Sequence, residues 1–460
     1  MTKMMNKWLL AGAVVSAMCT SVASAKVSEE KAAQLGGEIY TPMGSIRAGN
    51  EDGSIPAWTG GITEDMIPEG YQEGDHHPDP FADDEKLFTI DASNYQQYAE
   101  HLTVGQIALF KAYPDRFKMH IYPTRRSASY PQHVLDAIKA NATRAELIQE
   151  GNGIKGAAIG IPFPFPENGL QLIWNSITRY RGVSVEREVG QAAPLPDGDY
   201  VLVKLKDELH HIYNEPDMTP EKLEEGNVLF LFRQNVTAPA RLAGTALLVH
   251  ETMDQVKEPR KAWTYNTGQR RVRRAPNVAY DAPGTASDGL RTTDDFDMFN
   301  GAPDRYNWTI TGKKEIYIPY NTYKLHSDEV TYDEIIQPGV INSDLVRYEK
   351  HRVWVLEANL KEDTRHQYKK RVFYIDEDSW QIAAEEMYDE RGELWRVAMA
   401  YLVNYYDVPT LWSTLEAYYD LPSGRYLVIG LDNQENMYNF KVEFSDSHFT
   451  PSALRRAGIR

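Results

Sequence analysis

Histidines close to carboxylates are the first side chains to consider, because such groups make most metal sites and most acid–base pairs. The sequence has two adjacent histidine pairs, His76-His77 within the segment Asp75–Asp79, and His210-His211. Neither pair has further ligands at a recognisable spacing, so a solvated loop is favoured over a weak metal site at His76-His77. We therefore predict no metal and no cofactor.

Two other segments resemble functional motifs but lack the surroundings that the chemistry needs. Gly151–Gly156 has the glycine spacing of a dinucleotide-binding loop, yet it follows a predicted helix, whereas that loop must follow a strand. His250–Asp254 begins like a zinc-protease helix, but Asp254 stands where the second histidine is needed. No Gly-x-Ser-x-Gly motif occurs, and no carboxylate spacing singles out a general acid and base. The sequence thus predicts that the protein is not an enzyme.

One dense basic cluster, formed by Arg270, Arg271, Arg273 and Arg274, lies in an otherwise acidic chain. The chain has 49 Lys and Arg against 66 Asp and Glu, a formal net charge of -17, which argues against nucleic-acid binding. Two interpretations of the cluster stay open. Either it is a charged edge strand that discourages aggregation, or it makes transient contact with anionic lipid headgroups at a membrane surface.

Residues 1–25 have the three parts of a secretory signal peptide. Lys3 and Lys7 form the positive region, Trp8–Val15 the apolar run, and Ala23-Ser24-Ala25 a small-residue cleavage site. The apolar run is shorter than the roughly 20 residues that span a bilayer, so a cleaved signal is favoured over a membrane anchor. We predict a mature chain that works in the periplasm, either soluble or peripherally associated with the inner or outer membrane.

Beyond the signal, the residue pattern divides the chain into two parts. Residues 26–169 mix predicted short helices, among them Thr103–Tyr113 and Pro131–Gln149, with loops rich in Gly and Pro. Residues 170–460 contain short runs rich in Val, Ile, Tyr, Trp and Thr, separated by turn residues. Since short turns join antiparallel neighbours, the second part is predicted to be a large β-meander that packs on helices or curls towards a barrel. The clearest predicted strands are Arg352–Leu360, Lys369–Ile375, Trp380–Tyr388, Leu394–Asn404, Leu411–Tyr419, Arg425–Leu431 and Met437–Phe444.

Aromatic and apolar side chains of these strands either pack a core or line an apolar cavity enclosed by the curved sheet. On the strand Leu394–Asn404, the alternation of side chains places Arg396 on the opposite face from Val397, and we take Arg396 to mark the outer face. The residues that we predict to line a cavity are Trp354, Trp380, Trp395, Val397, Met399 and Tyr401.

Several longer motifs together resemble a family of exported Gram-negative proteins that is catalogued as a domain of unknown function. They are Leu35-Gly36-Gly37, Thr41–Gly44, Ala48–Trp58, Pro162–Pro164, Arg179–Gly182, Arg260–Trp263, Phe296–Gly301 and the tail from Phe449. The resemblance implies a fold similar to that of the outer-membrane lipoprotein-sorting carriers of the Lol type. We therefore expect a β-rich α+β fold, in which a strongly curved antiparallel sheet carries a helical lid and long N-terminal loops.

The resemblance and the apolar strand faces together favour a periplasmic carrier. We expect it to bind a lipid, a fatty acid, a hydrocarbon or a lipoprotein acyl chain. It would pass this molecule between inner- and outer-membrane transport components, so an inner-membrane transporter and an outer-membrane channel are the expected partners. The alternative is a non-catalytic scaffold or assembly partner of an outer-membrane protein, and a hydrolase or lyase is a third hypothesis.

Overall fold

The computed structural model describes residues 26–276, 278, 280–445 and 447–457. The signal peptide predicted over residues 1–25 lies outside the described residues and stays a prediction. Within them, no helix is both long enough and apolar enough to cross a membrane. The helices are α1 (Glu29–Ala32), α2 (Val104–Ala112), α3 (Gln132–Arg144), α4 (Gly169–Thr178), α5 (Pro220–Gly226), α6 (Tyr323–His326), α7 (Tyr332–Ile335) and α8 (Pro451–Ala457).

Strands make up most of the rest of the structure. The first ten are β1 (Phe88–Ile90), β2 (Met119–Ile121), β3 (Glu146–Ile148), β4 (Gly153–Lys155), β5 (Ser184–Ala192), β6 (Val203–His210), β7 (Val228–Ala238), β8 (Ala246–Thr252), β9 (Lys261–Asn266) and β10 (Arg271–Arg274). The others are β11 (Tyr306–Pro319), β12 (Arg347–Leu360), β13 (Lys370–Asp376), β14 (Ile382–Tyr388), β15 (Leu394–Tyr405), β16 (Thr410–Asp420) and β17 (Arg425–Leu431).

Fifteen of these strands form one sheet in the order β1-β2-β12-β13-β14-β15-β16-β17-β5-β6-β7-β8-β9-β10, with β11 paired to β12. Its strand pairs are antiparallel apart from the short parallel pair of β2 and β12. The sheet is curved but does not close into a barrel. The predicted fold class is therefore confirmed. Since β1 and β2 precede residue 170, the N-terminal part of the chain contributes to one edge of the same sheet.

Six of the predicted C-terminal strands are present as β12–β17, but the seventh, Met437–Phe444, is not a strand. This segment makes a single bridge, from Asn439 to Glu186 of β5. Its aromatic side chains turn to the core instead, where the rings of Tyr438 and Phe440 each lie 5.4 Å from the ring of Tyr405. Ring packing therefore competes with the strand pairing that the residue types favour.

Helix α2 covers one face of β14 and β15. It begins with a capping box, in which Thr103 accepts a hydrogen bond from the backbone N–H of Gln106 and the Gln106 side chain accepts one from the backbone of Thr103. The backbone N–H of Gly105 donates to Glu386 on β14 at 2.8 Å. A methyl group added at Gly105 would lie only 2.8 Å from Cγ1 of Val397 on β15. The helix and this sheet face are thus in close van der Waals contact.

We predict that Gly105→Ala lowers the free energy of unfolding by up to about 2 kcal/mol. The added methyl group collides with the stiff side chain of Val397, and overpacking of this kind costs about 1–3 kcal/mol, which offsets or outweighs the ~1 kcal/mol gained by replacing a helical glycine. The matched control is Gly226→Ala at the end of α5, where no atom lies within 4 Å of the added methyl group.

Gly226→Ala should raise the free energy of unfolding by up to ~1 kcal/mol. Urea denaturation of both variants and the parent measures the two effects. A stabilising Gly105→Ala would show that α2 does not pack closely on β15.

Candidate ligand-binding cleft

The chain between β10 and β11 crosses one face of the sheet as residues 280–303, and we call this segment the strap. Tyr418 of β16 donates a hydrogen bond from its hydroxyl group to the carbonyl of Asp295 at 2.7 Å. Arg396 of β15 donates to the carbonyl of Gly289, also at 2.7 Å. The strap therefore lies on the face of the sheet that carries Arg396.

The first anchor of the strap is a buried network around Arg371 of β13. The Arg371 guanidinium donates to Asp295 at 2.6 Å, to Asp294 at 3.2 Å and to Glu385 of β14 at 2.5 Å. The Nε2 atom of His366 lies 3.0 Å from the same oxygen of Asp294, Oδ2, that accepts from Arg371. All five side chains are buried. Such a network fixes the strap because a buried carboxylate is stable only next to its cation.

The network holds more negative than positive charge, because three carboxylates share one guanidinium group. Burial raises the pKa of Glu385 to about 8, and Arg371 reverses this only in part. Burial also raises the pKa of Asp294, but Arg371 and His366 outweigh it and hold that pKa below its usual range. Glu385 is therefore the group that carries a proton near neutral pH.

The second anchor is Asp297, which is buried between Arg179 and Arg181. Arg179 donates to it at 2.7 Å and the indole N–H of Trp412 at 2.8 Å. Burial raises the pKa of Asp297, but the two guanidinium groups outweigh it and leave the pKa below its usual range. Asp297 and Met298 have φ angles of 54° and 66°, in the left-handed region that side chains rarely adopt. The backbone of the strap is thus strained at Asp297, the residue that pairs with both arginines.

The third anchor holds the C-terminal end of the strap to β8. Arg260 donates to Glu251 at 2.7 Å and to the carbonyl of Asn300 at 2.6 Å. The side-chain amide of Asn300 donates to the same Glu251 carboxylate at 3.0 Å. The motifs Arg179–Gly182, Arg260–Trp263 and Phe296–Gly301 therefore meet as partners in the second and third anchors.

An apolar cavity of about 70 Å³ lies between the strap and the strands β7 and β8. Arg260, Arg291 and Glu251 form part of its polar rim. A volume of 70 Å³ is well below the roughly 300–1,000 Å³ of typical ligand pockets, so this inner cavity alone does not hold a long chain. Its apolar wall consists of Phe230, Phe232, Leu247, Val249, Val278, Pro283 and Phe296.

A wider cavity of about 660 Å³ adjoins the inner one, and Thr285 of the strap lines both. Leu195 and Val201 lie at its wall and are exposed by 47% and 54%. Arg241 and Arg425 also line it, and Arg425 donates to Asp288 of the strap at 2.9 Å. We call the two cavities together the cleft. Its apolar lining is completed by Ala193, Val203, Val236, Leu242 and Ala286.

The predicted cavity residues fall into two groups, neither of which lines the cleft. Trp354 and Trp380 stack at a ring distance of 6.3 Å, and Trp380 is buried with its indole N–H donating to the carbonyl of Met43. Trp395 is partly buried and donates to Asp420 at 2.9 Å. Whether these tryptophans contact a ligand is not tested by the geometry and stays a prediction.

The second group, Val397, Met399 and Tyr401, is buried on the face of β15 that α2 covers. The prediction that Arg396 marks an outer, solvent-facing surface is wrong. Arg396 is also buried, and it pairs with Asp420 at 3.0 Å. The alternation of side chains along β15 assigns these residues to the two faces of the sheet correctly. However, the strap covers the face that carries Arg396, just as α2 covers the face that carries Val397. A ligand role for the three residues likewise stays a prediction.

The four clustered arginines lie on the surface. Arg271, Arg273 and Arg274 belong to the edge strand β10, and Arg270 precedes it. All four are exposed, and within the described residues none of them lies within 4 Å of a carboxylate. Helix α8 packs beside β10. The cluster is therefore available to a partner or a surface.

The prediction of a solvated loop at His76-His77 is wrong for His77, which is 4% exposed. Its imidazole lies 2.7 Å from Asp407 and 3.2 Å from His326, and His326 lies 2.8 Å from Asp432. Burial lowers the pKa of His77 below its usual value. The partners are 249 and 330 positions away in the chain, so no local pattern could have revealed this network.

The chain belongs to a family described as a protein of unknown function (DUF1329), whose model matches residues 89–455. The predicted family membership is thereby confirmed. The chain is 53% identical over 450 residues to the uncharacterized protein PA3922 of Pseudomonas aeruginosa, and the match covers 97% of each chain.

Two solved structures are similar to the chain at low identity. A DUF1329 family protein from Desulfovibrio piger is 16% identical with a TM-score of 0.41, and the match covers 60% of this chain and 92% of that one. The LolA superfamily protein NE2245 from Nitrosomonas europaea is 15% identical with a TM-score of 0.37, covering 62% of this chain and 98% of that one. Both TM-scores lie below 0.5, so neither structure supports an argument about a ligand.

The raised pKa of Glu385 predicts a specific pH dependence of stability. In the folded chain, the carboxyl group of Glu385 keeps its proton up to about pH 8, whereas a glutamate in an unfolded chain loses its proton at about pH 4.3. The folded state then binds more protons between these values, so the contribution of Glu385 to stability falls as the pH rises from about 5 to about 8.

In Glu385→Gln this contribution should disappear, and the free energy of unfolding should fall less over the same window than in the parent. Histidines with lowered pKa values make the folded state more stable as the pH rises, which is the opposite direction, but they are present in both proteins. The difference between the two pH profiles therefore isolates the contribution of Glu385. Urea titrations at several pH values measure it, with the exposed Glu393→Gln as the control. Parallel pH profiles for the parent and Glu385→Gln would contradict the assignment.

Proposed function

We propose that the protein is a non-enzymatic periplasmic carrier, which holds a hydrophobic molecule in the cleft under the strap. The cargo is a lipid, a fatty acid, a hydrocarbon or a lipoprotein acyl chain, and the carrier passes it between inner- and outer-membrane transport components. The observation that carries this proposal is the apolar wall of the 660 Å³ cavity, where Leu195 and Val201 remain exposed.

The energetics suit a carrier. Each methylene group that leaves water for an apolar wall gains about 0.8 kcal/mol, so a long chain is held without covalent chemistry. The wider cavity lies within the usual range of ligand pockets, and the inner cavity extends it towards Phe230 and Phe232. Release needs a second conformation with lower affinity for the cargo.

The strap offers a structural basis for such a second conformation. Its anchors hold Asp294, Asp297 and Asn300, whereas the earlier residues Thr285 and Ala286 line the wider cavity and are held there by uncharged hydrogen bonds from Gln191 to their carbonyls. Movement of the earlier half would join the two cavities while the ion pairs of the later half persist. The cargo then enters and leaves without the cost of exposing the buried carboxylates.

The polar end of the cleft suits an anionic head group. Arg241 is exposed, and Asp288, the partner of Arg425, has a side chain that is 61% exposed. An exposed ion pair contributes only about 0–1 kcal/mol. A carboxylate or phosphate on the cargo can therefore replace Asp288 beside Arg425 at little cost.

The exposed arginines supply a docking surface for transient membrane contact in this proposal. Arg455 and Arg456 of α8 are exposed close to the edge strand β10. Each arginine near an anionic membrane contributes about 1 kcal/mol. Together they can orient an otherwise acidic protein at a lipid surface.

We predict that Leu195→Asp and Val201→Asp each weaken the binding of a fluorescent fatty-acid probe at least about 10-fold. A carboxylate in the apolar wall must be desolvated when the chain binds, which costs several kcal/mol. Because both positions are about half exposed in the free protein, the fold should tolerate the change. Fluorescence titration measures the affinity, and thermal melting confirms that the variants are folded.

The matched controls are Leu87→Asp and Val256→Asp, which change side chains exposed by 59% and 58% outside the cleft. They should bind the probe like the parent. If all four variants bind equally well, the cleft is not the binding site. If the folded parent does not bind the probe, the carrier proposal fails and the scaffold alternative takes its place.

The docking surface predicts that Arg271→Glu/Arg273→Glu weakens sedimentation with vesicles that contain anionic phosphatidylserine, at low salt, by at least about 10-fold. The control Arg116→Glu/Arg391→Glu changes the net charge equally at two exposed arginines elsewhere. It should bind nearly as well as the parent. Equal losses in both double variants would show that net charge, not the cluster, governs the interaction.

A further inference from the structure

The turn between β13 and β14, residues 376–379, is buried although its sequence is Asp-Glu-Asp-Ser. Hairpin turns with such residues are normally at the surface, because their polar groups need water. In this turn Asp376, Asp378 and Ser379 are all at most 4% exposed. The buried polar groups must therefore find partners inside the protein.

Asp376 is only half satisfied by its partners. Its Oδ2 accepts hydrogen bonds from the Ser379 hydroxyl at 2.6 Å, from the Ser379 backbone at 3.1 Å and from the Tyr320 hydroxyl at 3.2 Å. Its Oδ1 is buried and has no hydrogen-bond partner among the described residues. This oxygen faces His351 of β12, whose Nδ1 lies 3.8 Å away, too far for a hydrogen bond.

His351 is oriented in the way that metal-binding histidines are. Its Nε2 lies 3.1 Å from a carboxylate oxygen of Glu349, and its ring stacks on Tyr320 at a centroid distance of 3.9 Å. A carboxylate on one ring nitrogen fixes the tautomer that leaves the other nitrogen free as a ligand. Here the free nitrogen is the one that faces Asp376.

Asp378 completes the group. Ligand atoms of His351, Asp376 and Asp378 all lie within 4.8 Å of one another. Arg126 donates to both oxygens of Asp378, and Ser45 donates to one of them, so the carboxylate retains a free lone pair for a further ligand. Zinc accepts imidazole nitrogen and carboxylate oxygen ligands at about 2.0–2.2 Å. The three ligand atoms lie within 4.8 Å of one another, so they would reach this distance by moving inward around the ion.

The local charge also favours a divalent cation. The carboxylates of Glu349, Asp376 and Asp378 are all buried. Arg126 pairs with Asp378 and Arg347 pairs with Glu349, while Asp84, the other partner of Arg347, is also paired with Arg125. Among the described residues, Asp376 is thus the carboxylate of this group with no arginine or lysine partner, and a bound cation would supply the positive charge that a buried carboxylate requires.

We propose that His351, Asp376 and Asp378 form a structural site for one divalent transition-metal ion, with zinc as the best match. Oxygen-selective ions such as calcium and magnesium fit less well, because one ligand is an imidazole nitrogen. The site would join β12, the 376–379 turn and, through Ser45 and Arg126, the N-terminal loops. This inference is independent of the cleft and of its cargo.

The test starts with untagged protein, as purified, and inductively coupled plasma mass spectrometry for all first-row metals. A second sample is unfolded with a chelator and refolded with and without Zn²⁺, because the site is buried. The expected result is about one equivalent of metal per chain. The refolded zinc form should melt several degrees higher than the chelated form, since a ligand of the folded state stabilises it.

Asp376→Asn is the diagnostic variant, since it keeps the side-chain shape but removes the ligand charge. It should weaken zinc binding at least about 10-fold. The matched control is Asp432→Asn, which changes a buried, histidine-paired carboxylate elsewhere and should leave zinc binding unchanged. Circular dichroism of both variants checks the fold.

If Asp376→Asn does not fold, binding of Co²⁺ to the refolded parent tests the metal site without a variant. A buried site with nitrogen and oxygen ligands should give visible absorption bands stronger than those of aqueous Co²⁺, and one equivalent of Zn²⁺ should bleach them. Equal zinc binding by both variants would place the metal elsewhere. Less than about 0.1 equivalent of metal in the folded parent, with no change in melting, would show that the cluster holds a proton instead and would overturn the proposal.

Discussion

Three aspartates of the strap are buried: Asp294, Asp295 and Asp297. A buried carboxylate is stable only if a cation lies beside it. Arg371 meets the first two, and Arg179 and Arg181 meet the third. Removing one partner of such a pair typically costs about 3–5 kcal/mol, because the other charge stays buried. The path of the strap, and with it the roof of the cleft, depends on these pairs.

The anchors divide the strap into a fixed later half and an earlier half that lines the wider cavity. The fixed half joins elements that are far apart in the chain, since Arg179 follows α4 whereas Arg371 lies on β13. The other half contributes Thr285, Ala286 and Asp288 to the wider cavity. In the proposed carrier, the later half of the strap stabilises the fold, and the earlier half moves to let the cargo pass.

The sequence predicted the architecture well, because alternation and turn chemistry are local signals. The strands β12–β17, the helix at Thr103–Tyr113 and the antiparallel order all followed from residues near one another in the chain. Burial of both sheet faces did not follow, since an arginine such as Arg396 suggests a solvent-facing surface unless its distant partner is known.

The cleft could not be predicted for the same reason. Its walls come from β7, β8 and the strap, and only the structure brings these elements together. His351 and Asp376 likewise meet through strand pairing, without any sequence spacing that marks a metal site.

The most direct test of the carrier account is mass spectrometry of an organic extract from the folded protein, purified without detergent from a periplasmic fraction. The account predicts close to one lipid, fatty acid, hydrocarbon or acylated molecule per chain, absent from an unrelated periplasmic protein purified in parallel. It also predicts that this molecule protects the strap around Thr285 from hydrogen exchange when it is added back. A folded protein that yields no such molecule, and whose strap exchanges at the same rate with and without added lipid, would contradict the account.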